Sequence, residues 1–174
     1  MNGVEAAGLS VNRAQLSRTA QKALGWDNLA RAQDSVENMW LLQDTILAAM
    51  KERDASIEAT GKFTLVERTP ADMIGYTRMW CRRLGIDATT DLTFRNFFFD
   101  CMDMSKRYAA IIIVPMIPQV AFVEEPNRAD LASRVPVDAD IRTCVSHMAV
   151  NHVVMAGITP EERVAETVAI IRGL

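Results

Sequence analysis

The side chains with the greatest chemical potential in this sequence are two histidines and a nearby cysteine, because imidazoles and thiols serve as bases, nucleophiles and metal ligands. His147 and His152 are five residues apart. On a helix that spacing separates them by about 140°, so they cannot hold one metal ion as an i, i+4 pair does. Cys144 and His147 share a face at three residues apart. With no second cysteine beside them, we interpret this pair as part of an apolar helix interface.

The sequence contains none of the short motifs that hold phosphates or build a hydrolase site. Gly-x-Gly-x-x-Gly, the Walker loop, Gly-x-Ser-x-Gly and His-Glu-x-x-His are all absent. The carboxylate pairs Asp100 with Asp103 and Asp138 with Asp140 are typical of solvated helix faces and helix caps. We therefore expect no catalytic residue, no cofactor and no metal site, and an enzyme is unsupported.

The cysteines and the start of the chain indicate where such a protein works. Cys81, Cys101 and Cys144 are odd in number and far apart, with no Cys-x-x-Cys pair, so we expect three buried free thiols. Residues 1–10 carry neither a basic segment nor a continuous apolar segment of the secretory type. The prediction is a cytoplasmic protein.

Length and composition favour one folded domain over residues 1–174, with residues 1–9 flexible. The chain is 49% hydrophobic and 24% charged, and its formal net charge is −3, which gives no general attraction to nucleic acid or to an anionic membrane. A helix from Ser10 to about Leu24 carries three basic residues, and a nucleic-acid accessory role for it is one alternative. We interpret it as an ordinary amphipathic surface helix.

Residues 109–123 form an apolar run in which Gln119 is the only polar side chain. The run is shorter than the roughly 18 apolar residues of a membrane span, and Pro115 and Pro118 prevent one regular helix. We predict two short apolar segments, 110–114 and 119–124, folded back on each other as a β-hairpin or an extended segment.

Capping residues and apolar periodicity place five or six helices around that run. The predicted fold class is mainly α, with α+β as the alternative. Apart from the helix after Ser10, the predicted segments are a longest helix from Asp27 or Asp34 to about Asp54, a helix from Thr69 to Leu84, a helix from Thr89 or Thr90 toward Tyr108, a helix from Asp138 or Asp140 through Met155, and a last helix from Thr159. Phe63 to Val66 is a candidate strand, and Val135 to Val137 is expected to be extended.

Three consecutive phenylalanines, Phe97, Phe98 and Phe99, stand out in the helix that ends near Tyr108. At 100° per residue they spread over about 200° of the helix, so one flat contact cannot bury all three. Either the helix is packed on two sides or part of it meets a partner.

Surface recognition is the function that these patterns favour. Ten methionines suit adaptable packing and binding surfaces. We predict a non-enzymatic interaction module, such as an adaptor, chaperone, inhibitor or assembly factor, that binds another protein or itself through an apolar helical surface with a basic rim. The candidate residues are Phe97, Phe98, Phe99, Met116, Ile117, Arg78, Arg82 and Arg83. The alternative is a small-molecule-binding or enzymatic domain with a pocket between helices 92–108 and 140–156.

Overall fold

A computed structural model describes residues 2–115 and 131–174, and its fold is mainly helical with short strands, which confirms the predicted class. Met116, Ile117 and the predicted apolar segment 119–124 lie outside the described residues. The elements are α1 Asn2–Ala6, β1 Ser10–Asn12, α2 Leu16–Ala23, a 3₁₀ helix Leu29–Gln33, α3 Val36–Thr60, β2 Thr64–Val66, α4 Pro70–Arg83, α5 Leu92–Ser105, β3 Ala110–Ile113, α6 Leu131–His147, β4 Asn151–Val154 and α7 Pro160–Arg172.

The strands of the described residues form two parallel pairs. In the first, β1 lies beside β2, with Ser10 opposite Thr64. In the second, β3 lies beside β4, with Ile113 opposite Val154. Parallel strands cannot be joined by a tight turn, and α2 and α3 separate the first pair along the chain, whereas α6 separates the second. In the described residues, β3 pairs with a strand about 40 residues further along the chain.

The beginning of the chain differs from the sequence prediction. Ser10 does not cap a helix, because it lies in β1 and its hydroxyl oxygen accepts a hydrogen bond from Thr64 Oγ1 at 3.2 Å. Pairing with β2 outweighs the local helix signal, so α2 begins only at Leu16. Residues 1–9, predicted to be flexible, include α1, in which Val4 is buried.

α3 is the longest helix of the described residues, as predicted, but its bounds differ. The Ser35 side chain caps it by accepting from the Asn38 N–H at 3.1 Å, in place of Asp27 or Asp34. The helix continues past Asp54 to Thr60 and ends where Gly61 takes a left-handed conformation with φ of 62°. α3 therefore spans 25 residues, and its buried side chains lie between Met39 and Asp54.

Two predicted helix starts are confirmed. At α4 the Asp72 carboxylate accepts from the Thr69 backbone N–H at 2.8 Å. At α7 the Thr159 hydroxyl oxygen accepts from the Glu162 N–H, and Glu162 accepts from the Thr159 N–H at 2.9 Å. Both helices have proline in the first turn, where its missing N–H costs nothing.

The predicted helix through Met155 is wrong over its second half. α6 ends at His147, and β4 takes residues 151–154, because β-branched Val153 and Val154 pair with β3. The predicted extended segment Val135 to Val137 is also wrong, since it lies within α6, which accommodates Pro136. Val137 is buried against α4, and this packing outweighs the hydrogen bond that the proline removes.

The core lies between α3, α4, α5, α6 and β3. Its fully buried side chains include Met39 and Met50 of α3, Ile74 of α4 and Val145 of α6. In residues 2–115 and 131–174, no helix combines the length and the apolar character needed to cross a lipid bilayer.

Gly75, in the middle of α4, sets how closely α6 approaches. A Cβ atom at this position would lie 2.6 Å from Ile141 Cγ1 and 3.3 Å from the Val137 carbonyl oxygen. Glycine to alanine in a helix normally stabilises by up to about 1 kcal/mol. Here we expect Gly75→Ala to lower the free energy of unfolding by about 1–3 kcal/mol, measured by urea denaturation, because the added methyl overpacks the α4–α6 contact.

A double mutant separates this clash from other effects. Ile141→Ala removes the atom that the new methyl meets, so in the double variant Gly75→Ala should cost less than it does alone. A stabilising Gly75→Ala, or strictly additive losses, would contradict close packing at this point.

Candidate protein-binding surface

α5 has one buried side and one exposed side. Its start is fixed by the Asp91 carboxylate, which accepts from the Phe94 N–H at 2.7 Å. The buried side carries Phe94, Phe97, Cys101 and Met104. On the opposite side, Leu92 exposes 61% of its surface and Phe99 exposes 60%.

The three consecutive phenylalanines differ in how far they are buried. Phe97 is buried, with its ring edge-on to Trp40 of α3 at a centroid distance of 5.7 Å. Phe98 is half-buried, and its ring lies 6.4 Å from that of Phe94 and 5.9 Å from that of Phe99. The candidate Phe97 therefore belongs to the core and offers no surface to a partner, because α3 covers that side of α5. Phe99 is the member that presents its ring to solvent.

Leu92 and Phe99 belong to one line of exposed residues along α5. Residues spaced by four and three on a helix lie one above the other, and that spacing gives Leu92, Asn96, Phe99 and Asp103. All four are exposed. We call this line the α5 stripe.

The two flanks of the α5 stripe face different helices. On the α3 side, Asp100 lies 3.9 Å from Lys51 Nζ, measured from its Oδ2. On the α4 side, the guanidinium of Arg78 lies 5.7 Å from the centroid of the Phe94 ring. Arg95 is exposed on this second flank, and half-buried Met102 continues the flank about two helical turns later. Aromatic, methionine and arginine side chains are the residue types enriched in protein interfaces.

Two of the three predicted rim arginines lie together. Arg78 Nη1 is 3.5 Å from Asp140 Oδ1 and Arg82 Nη1 is 2.8 Å from Asp140 Oδ2, so one carboxylate of α6 binds both of these α4 arginines. Arg83 lies elsewhere, with its guanidinium 5.3 Å from the centroid of the Trp80 ring. The basic rim of the α5 stripe thus consists of Arg78, which lies against Phe94, and Arg95, whereas Arg82 lies against Asp140 of α6.

The cysteine and histidine candidates do not converge on a reactive site. Cys144 is buried, whereas His147 is exposed and its Nδ1 lies 2.7 Å from the Thr143 carbonyl oxygen. Burial raises the pKa of Cys81 to about 11 and that of Cys101 to about 12, which disfavours the nucleophilic thiolate. No cluster of three or more histidine, cysteine, aspartate or glutamate side chains suited to a metal ion occurs in the described part of the chain.

The predicted small-molecule pocket has only part of one of its two expected helical walls. It required a helix over residues 140–156, but α6 ends at His147 and the chain continues as β4.

A buried polar network near the C-terminal half of α3 has no counterpart in the sequence predictions. Arg53 Nε donates to Asp54 Oδ1 at 2.8 Å and Nη2 donates to Tyr108 Oη at 2.9 Å. Tyr108 Oη in turn donates to Asp54 Oδ2 at 2.7 Å. Arg53 Nη1 also donates to the carbonyl oxygens of Glu67 and Arg68 at 2.9 and 3.2 Å.

This network has a structural role. Burial and the hydrogen bond to Asp54 raise the pKa of Tyr108, so its hydroxyl stays protonated and keeps donating. Arg68, whose carbonyl Arg53 holds, has φ of 70°, the one non-glycine residue with positive φ in the described structure. Arg53 therefore joins α3 to the turn before α4 and to the segment before β3.

Comparison with known proteins identifies no relative from which a function could be inferred. The chain matches no protein-family model, no curated protein and no solved structure.

Leu92 and Asn96 were not among the sequence-predicted site residues. The signal that could have found Leu92 is its spacing of seven from Phe99, which places both on one line of a helix.

Proposed function

We propose that this protein is a non-enzymatic interaction module that binds a protein partner through the α5 stripe and its basic rim. The observation that carries the proposal is the exposure of Leu92 and Phe99, at 61% and 60%, on one line of a helix whose other side is buried. Since only about 60% of each residue is exposed, covering each one fully contributes about 1–2 kcal/mol to binding.

The surroundings of the stripe support this proposal. Half-buried Phe98 and Met102 extend the apolar area on the α4 flank, and Arg78 is anchored there by Asp140. Apolar residues at the centre with charged residues at the edge is the arrangement of protein interfaces. A role as adaptor, chaperone, inhibitor or assembly factor is part of the same proposal.

The proposal includes a cytoplasmic location. Cys81, Cys101 and Cys144 are all free thiols, and unpaired cysteines are typical of reducing compartments.

Serine substitutions on the α5 stripe test this function. The double variant Leu92→Ser, Phe99→Ser should abolish partner binding, measured by affinity capture from the producing cell. Because both side chains are exposed, its thermal unfolding midpoint should stay within a few degrees of the wild-type value. Phe63→Ser is the matched control, since Phe63 is 53% exposed but lies just before β2. It should retain the partner.

The same capture experiment can contradict the proposal. Equal recovery of the partner by the double variant and the Phe63→Ser control would mean that the α5 stripe is not the binding surface.

A further inference from the structure

The flanks of the α5 stripe carry opposite charges. Arg95 is exposed on the α4 flank, where the guanidinium of Arg78 also lies over the Phe94 ring. Asp100 is exposed on the α3 flank, where its side chain is 64% accessible. The surface is thus a line with two exposed apolar side chains, Leu92 and Phe99, between a basic edge and an acidic edge.

Two carboxylates, those of Asp44 and Asp100, repel each other at the acidic edge. Burial and the neighbouring charge of Asp100 raise the pKa of Asp44 on α3, and Lys51 opposes this only in part. Like charges in proximity destabilise each other, so an additional cation at this edge would be favourable.

Symmetry decides how two such surfaces fit together. If two copies pack with their α5 helices antiparallel about a two-fold axis, each edge faces the same edge of the other copy, basic against basic. If the helices pack parallel, the two-fold axis runs along them, and the basic edge of each copy faces the acidic edge of the other. Only the parallel arrangement is complementary in charge.

We propose that the partner of the α5 stripe is a second copy of this chain, packed with the two α5 helices parallel. This inference rests on the proposed function and names the occupant of the same surface. In heptad terms, Leu92 and Phe99 take d positions and Asn96 takes the a position between them. Arg95 is then at g and Asp100 at e, five residues later, which is the spacing of the g–e′ ion pair between parallel helices.

Asn96 has a defined place in this dimer. A single asparagine at an a position pairs with its symmetry mate and favours parallel, in-register pairing of two helices. The contact covers Leu92 to Asp100 and ends before Asp103, which lies in the last turn and is bound to Lys106 at 2.7 Å within the same chain.

Charge reversal gives a direct test by sedimentation equilibrium. Arg95→Glu and Asp100→Arg should each weaken self-association by at least about tenfold, because every dimer then contains two repulsive pairs. Mixing the two variants should restore association as a heterodimer, since positions 95 and 100 then carry opposite charges in both pairs across the interface. Arg18→Glu, on the exposed surface of α2, is the control and should associate like the wild type.

Two results would overturn the second-copy inference. One is a wild-type chain that stays monomeric at several hundred micromolar, and the other is a mixture of the two charge variants that associates no better than either alone. Loss of folding is checked by circular dichroism melts of each variant.

Photo-crosslinking from position 99 separates this inference from the proposed function. A product of twice the chain mass supports the second copy. A crosslink to a different protein overturns the second copy and leaves the proposed function standing, whereas the absence of any crosslink overturns both.

Discussion

Phe97→Ala is expected to lower the free energy of unfolding by about 3–5 kcal/mol in urea denaturation. The Phe97 ring is buried, at 5% exposure, and contacts Trp40 edge-on. Its removal leaves a cavity between α3 and α5 and loses the aromatic contact as well as the transfer free energy of the ring.

The control for this prediction is two residues away on the same helix. Phe99→Ala is the same chemical change at a ring that is 60% exposed, so the free energy of unfolding should change by no more than about 0.5 kcal/mol. Equal losses for the two variants would show that α5 does not present Phe99 outward, and the α5 stripe would no longer exist as a surface.

Arg53→Met is expected to lower the free energy of unfolding by a comparable amount, about 3–5 kcal/mol, because it leaves the Asp54 carboxylate buried without its cation. The Arg53 side chain is 3% accessible and that of Asp54 is 8%. Methionine keeps most of the side-chain volume, so the loss reports the charge and the hydrogen bonds rather than a cavity. The carbonyl oxygens of Glu67 and Arg68 lose their donor as well.

Two further variants make the Arg53 prediction specific. Arg107→Met removes an exposed ion pair with Glu58, whose atoms are 3.8 Å apart, and should cost less than about 1 kcal/mol. Adding Asp54→Asn to Arg53→Met should recover part of the loss, because the unpaired buried charge is then gone. An Arg53→Met variant as stable as the Arg107→Met control in urea denaturation would contradict a buried network at this position.

The starts of α4 and α7 could be predicted from the sequence because their determinants are local. Thr69 with Asp72 and Thr159 with Glu162 bond across three residues, and proline fixes the first turn in each case. Such caps need no knowledge of the rest of the fold.

The strands β1 and β4 could not be predicted in the same way because their partners are distant in sequence. Ser10 is a good helix cap in isolation, yet it lies in β1 and pairs with Thr64 of β2. His152 and Val153 continue an apolar helical pattern, yet they lie in β4 and pair with Ile111 and Ile112 of β3. In both cases a long-range ladder outweighs the local preference.

The binding surface could be predicted in part. The spread of Phe97 to Phe99 around a helix establishes that they face different environments, but which ring is buried depends on where α3 and α4 pack against α5. The charged segment around Arg53 has the composition of a solvated helix face. Its burial depends on Tyr108, which follows α5 in the chain and whose hydroxyl is hydrogen-bonded to both Arg53 and Asp54.

The most direct test of the central claim, that the α5 stripe binds a protein, is photo-crosslinking in the cells that produce the chain. A photoreactive phenylalanine analogue is placed at position 99 and, for comparison, at position 63, which is similarly exposed. We predict a discrete crosslinked protein product from position 99 and none of that mass from position 63. Absence of a product at position 99, or the same product from both positions, would contradict the claim.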